Sequence, residues 1–138
     1  MSKENIEVAR ASLDAWNAGD TDAFHELLDP DVILRNPEGW PEPGPHVGRE
    51  AVLRQFQDAR ELWDSDVLEP TSDFIDIADR VLVRTIWRGV RHGVESHLEF
   101  TIVYTVRKGG IFGFEYFWDH AEALEAFGLS QDVRTDVS

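Results

Sequence analysis

Apolar residues recur at helical spacing early in the chain, where Ile6, Ala9, Leu13 and Trp16 form one stripe over about residues 3–18. Ser2 can cap its start and Gly19 can end it. A shorter helix is predicted over about 21–28, with Asp20 or Thr21 as its cap and Phe24, Leu27 and Leu28 on one side. Pro30 stops it. Val32, Ile33 and Leu34 then read as a short strand, closed by Asn36-Pro37. From Glu38 to Gly48 the chain holds Pro41, Pro43 and Pro45 with Gly39 and Gly44, so a long loop carrying Trp40 and His46 is expected. A loop of that length inside a small domain is often functional. A third helix follows at about 49–64 on the stripe Val52, Phe56, Ala59 and Trp63.

The period then changes to two. Strands are predicted over about 67–77, 80–91, 95–107 and 111–118, with turn signals at Asp79, Gly93 and Lys108-Gly109-Gly110. Consecutive strands of this kind pair antiparallel in a meander. A terminal helix covers about 120–127. Segregated helices and strands give the α+β class. The reading is one domain over 1–129 and a frayed polar tail over 130–138.

Side chains alternate along a strand, so parity assigns faces. Val81, Val83, Thr85 and Trp87 are expected inward, with Leu98, Phe100, Ile102, Tyr104 and Val106. The last strand places Phe112, Phe114, Tyr116 and Trp118 on that face, and Ile111, Glu115 and Phe117 on the other. The outer face mixes Ile86, Val103 and Phe117 with Arg84, Arg88 and Glu99, a composition that fits a homodimer interface.

Composition narrows the function. A chain of 138 residues is long enough for one real core. It has no cysteine, which removes disulfides, thiolate metal sites and cysteine nucleophiles together and fits a reducing compartment. A net charge of −14 argues against nucleic acid and anionic membranes as partners, because both are held by clustered Lys and Arg. No apolar run has the length of a signal peptide or a membrane span, so a soluble, cytoplasmic protein is expected.

Several short motifs then act together. Trp16-Asn17-Ala18-Gly19-Asp20, Phe24, and Leu27-Leu28-Asp29-Pro30-Asp31-Val32 resemble the opening of the nuclear transport factor 2-like superfamily, as does Gly48-Arg49-Glu50-Ala51-Val52. The ending Tyr116-Phe117-Trp118-Asp119-His120-Ala121-Glu122-Ala123-Leu124 resembles its SnoaL-like, polyketide-cyclase-like branch. The resemblance runs to about Leu129. It implies a cone-shaped, curved antiparallel sheet wrapped around helices, with a deep pocket and commonly a dimer. It does not imply one activity, since the superfamily includes isomerases, cyclases, dehydratases, epoxide hydrolases and binding proteins.

Residue by residue, the resemblance removes much known chemistry. The ketosteroid-isomerase-like members need a tyrosine, a carboxylate base and a protonated aspartic acid. Those positions fall on Ser12, Asn36 and near Ile102. The acid that epoxide-hydrolase-like and cyclase members carry on the last strand matches Tyr116, a hydrogen-bond donor at neutral pH. Asn36 can orient a ligand carbonyl or hydroxyl, or can serve only its own turn. His46 is the natural proton carrier, without an orienting partner in view. Asp119-His120-Ala121-Glu122 reads as a helix cap. His92, His97 and Glu99 supply at most three ligands, and parity puts His97 and Glu99 outside the pocket, so no metal or cofactor is expected.

What remains is a pocket lined by Trp16, Phe56, Trp87, Phe100, Ile102, Tyr104, Phe114 and Trp118, with Tyr116, Asn36 and His46 as candidate catalytic groups and no carboxylate inside. A one-residue slip of register would bring in Glu99 or Glu115. The expectation is a binder of a small apolar, cyclic or aromatic molecule. The alternatives are a proton-transfer enzyme of the cyclase, isomerase or dehydratase type, or a dimerisation module with a filled cavity.

Overall fold

The computed structural model describes residues 2–40 and 44–128. The first apolar stripe forms α1 (Ser2–Ala18), which buries Ala9 and Leu13. Gly19, at φ 68°, turns the chain out of it. The Asp20 carboxylate accepts a hydrogen bond from the Ala23 N–H at 3.0 Å and caps α2 (Thr21–Leu27). The chain passes directly into β1 (Leu28–Arg35), so Pro30 lies within a strand. The β1 ladder is irregular between Leu28 and Ile33, where a residue without an N–H is tolerated. Inside the expected loop a two-residue strand, β2 (His46–Val47), pairs with β1.

After α3 (Arg49–Glu61), the segment expected as one strand over 67–77 is two, β3 (Ser65–Pro70) and β4 (Ile75–Ile77). Both lie against β5 (Arg80–Arg91). Then come β6 (Val94–Arg107), β7 (Gly110–Phe117) and α4 (His120–Ala126). Asp119 caps α4 as expected, accepting from the Ala121 N–H at 2.8 Å. The tail expected over 130–138 lies outside the described residues.

The strand order is β2-β1-β7-β6-β5-β3, with β4 also on β5, in a curved sheet that does not close. It is mixed rather than wholly antiparallel, because β1 runs parallel to β7. Parity and turns read only neighbours joined by hairpins. These two strands are far apart in sequence, so no turn constrains their direction. The hairpins themselves are tight: His92 and Gly93 (φ 53° and 76°) and Lys108 and Gly109 (φ 51° and 77°) make two-residue turns with both centres left-handed.

The inner face follows parity along β5 and β6, and Val81, Val83, Phe100, Ile102, Tyr104 and Val106 are all buried in the main core. On β7 a register shift between Thr105 and Val106 changes the outcome. Ile111, expected outward, pairs with Val106 and is 0% exposed in the core. The Phe112 ring instead meets the Arg107 guanidinium, 4.5 Å from its centroid.

The outer face is partly covered by this chain's own α4. Leu82 and Val103 are buried against Ala123 and Leu124, and Phe117 meets Phe127 edge-on at 6.1 Å. Each such aliphatic burial is worth about 1.5–3 kcal/mol. Two of the apolar residues expected at a subunit interface, Val103 and Phe117, are thus used internally. Ile86 is half-buried, and Arg88, Glu99 and His97 are exposed.

On the inner face Gly89 is buried beneath an edge-to-face pair, Trp63 and Trp87, with centroids 4.7 Å apart. A Cβ there would overlap the Trp87 ring and lie 2.9 Å from Trp63 Cε3. Gly89→Ala is expected to lower stability by roughly 1–3 kcal/mol through overpacking. It should also change the near-ultraviolet circular dichroism of this ring pair. A variant with wild-type stability and spectrum would show that the packing is not tight there.

Candidate functional site

Helices α1 and α3 lie across the concave side of the sheet and leave a cavity of about 230 Å³. Trp16, Phe56, Trp87, Phe100, Ile102, Tyr104 and Phe114, expected as lining, all reach it. So do two of the candidate catalytic groups, Tyr116 and Asn36, and Ser12 of α1. Their rings pack edge-on around the interior: Trp16 on Phe56 at 5.6 Å, and Phe56 on Phe114 at 5.6 Å.

Two expected residues fall elsewhere. Trp118 does not line the cavity. It is 36% exposed, its Nε1 donates to the Glu38 carbonyl at 2.9 Å, and its ring leans on Trp40 at 5.1 Å. Trp40, from the Pro-rich loop, takes the inner place and packs on Phe100 and Tyr116, each at 5.1 Å. The reason is that β7 ends at Phe117, so strand parity no longer governs residue 118. His46 also misses the cavity: it pairs with Leu34, which does line it, but sits one strand further out, on the edge strand β2. Glu99 and Glu115 are outside as well: Glu99 is exposed and Glu115 is half-buried, and neither reaches the lining. The register slip that would have brought them in does not occur.

A carboxylate does line the cavity, and it is Asp66 on β3. Its side chain is 3% exposed. Oδ2 accepts two indole N–H groups, from Trp16 at 2.8 Å and from Trp87 at 3.0 Å. Oδ1 faces Arg60 Nε at 4.0 Å, an ion-pair distance beyond hydrogen-bond reach. The Arg60 guanidinium is engaged elsewhere, donating to the Trp16 carbonyl and stacking 4.8 Å over the Trp16 ring. That contact also supplies the cation missing from the last turn of α1. Sequence reading missed Asp66 because the strand was started at 67. Alternation was the available signal, since Leu68 points inward and Asp66 shares its parity.

The strand that carries Asp66 is itself held in place. Asn17 donates from Nδ2 to the Leu68 carbonyl and accepts from the Leu68 N–H, both at 2.8 Å. A side-chain amide thus pairs with the backbone of an edge strand two residues from Asp66, and covers that edge. The Asn17 of the Trp16-Asn17-Ala18-Gly19-Asp20 motif is therefore a positioning residue for the cavity wall.

The opposite polar region holds the two tyrosines. Tyr104 is buried and hydrogen-bonded to Ser12, and Tyr116 is half-buried. Burial pushes both phenols far above the ordinary value of 10.0. For Tyr116, the nearby Tyr104 adds to that effect, because two phenolates would repel each other. Both are therefore neutral donors at neutral pH and neither is a base. Among the described residues no group of three or more His, Asp or Glu side chains gathers as a metal would need. No helix among them is long and apolar enough to cross a membrane.

These are the only tyrosines in the chain, which makes their state directly measurable. Absorbance at 295 nm should show no phenolate in the folded protein as pH rises past 10, then a cooperative rise with alkaline unfolding. The folded values exceed the unfolded ones, so this contribution to stability is complete below about pH 10 and is lost above it. The loss should approach about 1.4 kcal/mol per pH unit for each tyrosine. A smooth titration near pH 10 in folded protein would contradict the burial.

A crystal structure of TerC co-crystallized with polyporic acid is 24% identical and covers 90% of this chain and 97% of its own, with a TM-score of 0.74. Bal32a, from a soil-derived mobile gene cassette, is 24% identical over 91% of this chain and 97% of its own, with a TM-score of 0.77. A candidate polyketide cyclase from Sinorhizobium meliloti is 28% identical over 80% of this chain and 93% of its own, with a TM-score of 0.65. No curated protein matches the chain in sequence. The sequence model of the SnoaL-like domain matches residues 9–114, most of the chain, and the protein belongs to that family, within the nuclear transport factor 2-like fold.

Proposed function

We propose that this protein binds a small apolar molecule, cyclic or aromatic, in the cavity between α1, α3 and the sheet. The observation that carries the reading is the cavity itself: about 230 Å³, walled by aromatic and aliphatic side chains, with a few polar groups at its ends. That is the chemistry of a ligand site, at a volume just under the usual range of about 300–1,000 Å³, which suits one or two rings. Support comes from TerC, a chain of the same fold that was co-crystallized with polyporic acid.

Four of the five tryptophans line the cavity, so intrinsic fluorescence reports occupancy. Naphthalene should quench it saturably and raise the melting temperature, by an amount equivalent to about 2.7 kcal/mol at a hundredfold excess over Kd. Ala59→Phe, which adds a ring from α3 into the same space, should remove both effects and leave the fold intact. Quenching that does not saturate, or that survives the plug, would count against this reading.

A second reading is favoured by one observation, the Asp66 carboxylate inside the cavity. In a proton-transfer enzyme of the cyclase, isomerase or dehydratase type, Asp66 would accept the proton and a neutral Tyr116 or Tyr104 hydroxyl would donate to the developing oxyanion. On any substrate that turns over, Asp66→Asn should lower kcat by about 10²–10⁴-fold with a much smaller change in KM. An unchanged kcat would end it. The homodimer through the outer sheet face is likewise a proposal. It now rests on Ile86 with Arg88 and Glu99, and a monomeric mass by light scattering at micromolar concentration would remove it.

A further inference from the structure

We propose that the cavity selects hydroxylated rings over anions and over molecules without a donor, because Asp66 Oδ1 waits for a ligand O–H. The inference rests on the cavity-binding reading and names the class of ligand within it.

Among the described residues of the lining Asp66 is the only carboxylate, and none of them is Lys, Arg or His. Its two oxygens are unequal. Oδ2 already holds two indole N–H groups, at 2.8 and 3.0 Å, which occupy its two lone pairs. Oδ1 receives no hydrogen bond from any described residue, and Arg60 Nε stops at 4.0 Å. Oδ1 therefore keeps acceptor capacity that a donor entering the cavity can use.

The carboxylate cannot easily swing to find another partner. Two indoles pin it from α1 and β5, Asn17 clamps its strand two residues away, and Gly89 leaves the space in which Trp87 lies. A neutral hydroxyl suits this site better than an ammonium group. Arg60, 31% exposed and at ion-pair distance, already offsets part of the negative charge, and a cation would lose its hydration among aromatic walls.

The other polar region sets the orientation. Ser12, bonded to Tyr104, and Trp16, bonded to Asp66, are four residues apart on α1. Their backbones are about 6 Å apart along the helix axis and their side chains share one helix face, so α1 touches both polar regions. A ligand with its hydroxyl on Asp66 would present its far edge to the tyrosine hydroxyls, which donate. The preferred molecule is therefore a hydroxylated ring whose far end accepts a hydrogen bond.

Calorimetric titration of wild-type protein and Asp66→Asn with 2-naphthol, 2-methoxynaphthalene, naphthalene and 2-naphthoate tests the proposal on one skeleton. In the wild type, 2-naphthol should bind about 10- to 100-fold more tightly than 2-methoxynaphthalene, the range for a hydrogen bond to a charged group. The anion 2-naphthoate should bind weaker than 2-naphthol by on the order of 100-fold or more. Asp66→Asn keeps one oxygen for the two indoles and turns an amide N–H₂ toward the cavity. The preference for 2-naphthol should then vanish or reverse, while naphthalene affinity stays within about threefold, a constancy that also reports an intact fold. Equal wild-type binding of 2-naphthol and 2-methoxynaphthalene, or tightest binding of 2-naphthoate, would overturn the proposal and leave the cavity reading standing. Failure of all four probes would overturn both. A variant that weakens all probes equally would make Asp66 a structural tie alone, and would also overturn it.

Discussion

One carboxylate oxygen holds two indole N–H groups in the interior of this protein, and much of the site's shape depends on that contact. Through it Asp66 of β3 ties Trp16 of α1 to Trp87 of β5. Arg60 of α3 joins the same group by stacking on Trp16 and bonding its carbonyl. A buried charge is expensive unless it is well paired, and removing one partner of such a set costs several kcal/mol. The tie is therefore poor as a source of net stability. Its use is to fix where α1, β3 and β5 stand, and hence where the cavity wall runs.

The cavity has a polar asymmetry that follows from the same arrangement. At one end a carboxylate accepts; at the other, Tyr104 and Tyr116 stay protonated because burial raises both. Between them the walls are aromatic and aliphatic. Such a site reads a ligand by its direction as well as its size. Members of this superfamily with a tyrosine and a carboxyl group donating to one carbonyl present the opposite polarity at the carboxyl. Here Tyr116 lines the cavity from β7, and the carboxylate lines it from β3.

The outer face shows how a fold can use the same residues in two ways. Apolar side chains at Leu82, Val103 and Phe117 look like an interface when only the strands are considered. The terminal helix α4 covers them within the chain. What stays exposed is mostly charged, with Arg88 and Glu69 paired at 2.6 Å on the surface, a contact of little energetic weight.

Periodicity was enough to read the helices, the long strands, the class of the fold and most of the aromatic lining, because those features follow from local alternation of apolar and polar residues. It failed where that alternation is interrupted. The bulge at Thr105 and Val106 turned Ile111 inward, and the end of β7 released Trp118 from the parity that would have put it in the cavity. It failed again where the deciding partner is distant in sequence. The parallel pairing of β1 with β7 has no turn to announce it. Asp66 fell just outside the predicted strand, and its meaning depends on Trp16, fifty positions earlier, and Trp87, twenty-one positions later. The sequence by itself determined which surfaces must be buried, since the apolar pattern is a property of each segment. Only the tertiary structure decided which polar group is enclosed with them, since a charge can be buried only where the fold supplies its hydrogen-bond partners.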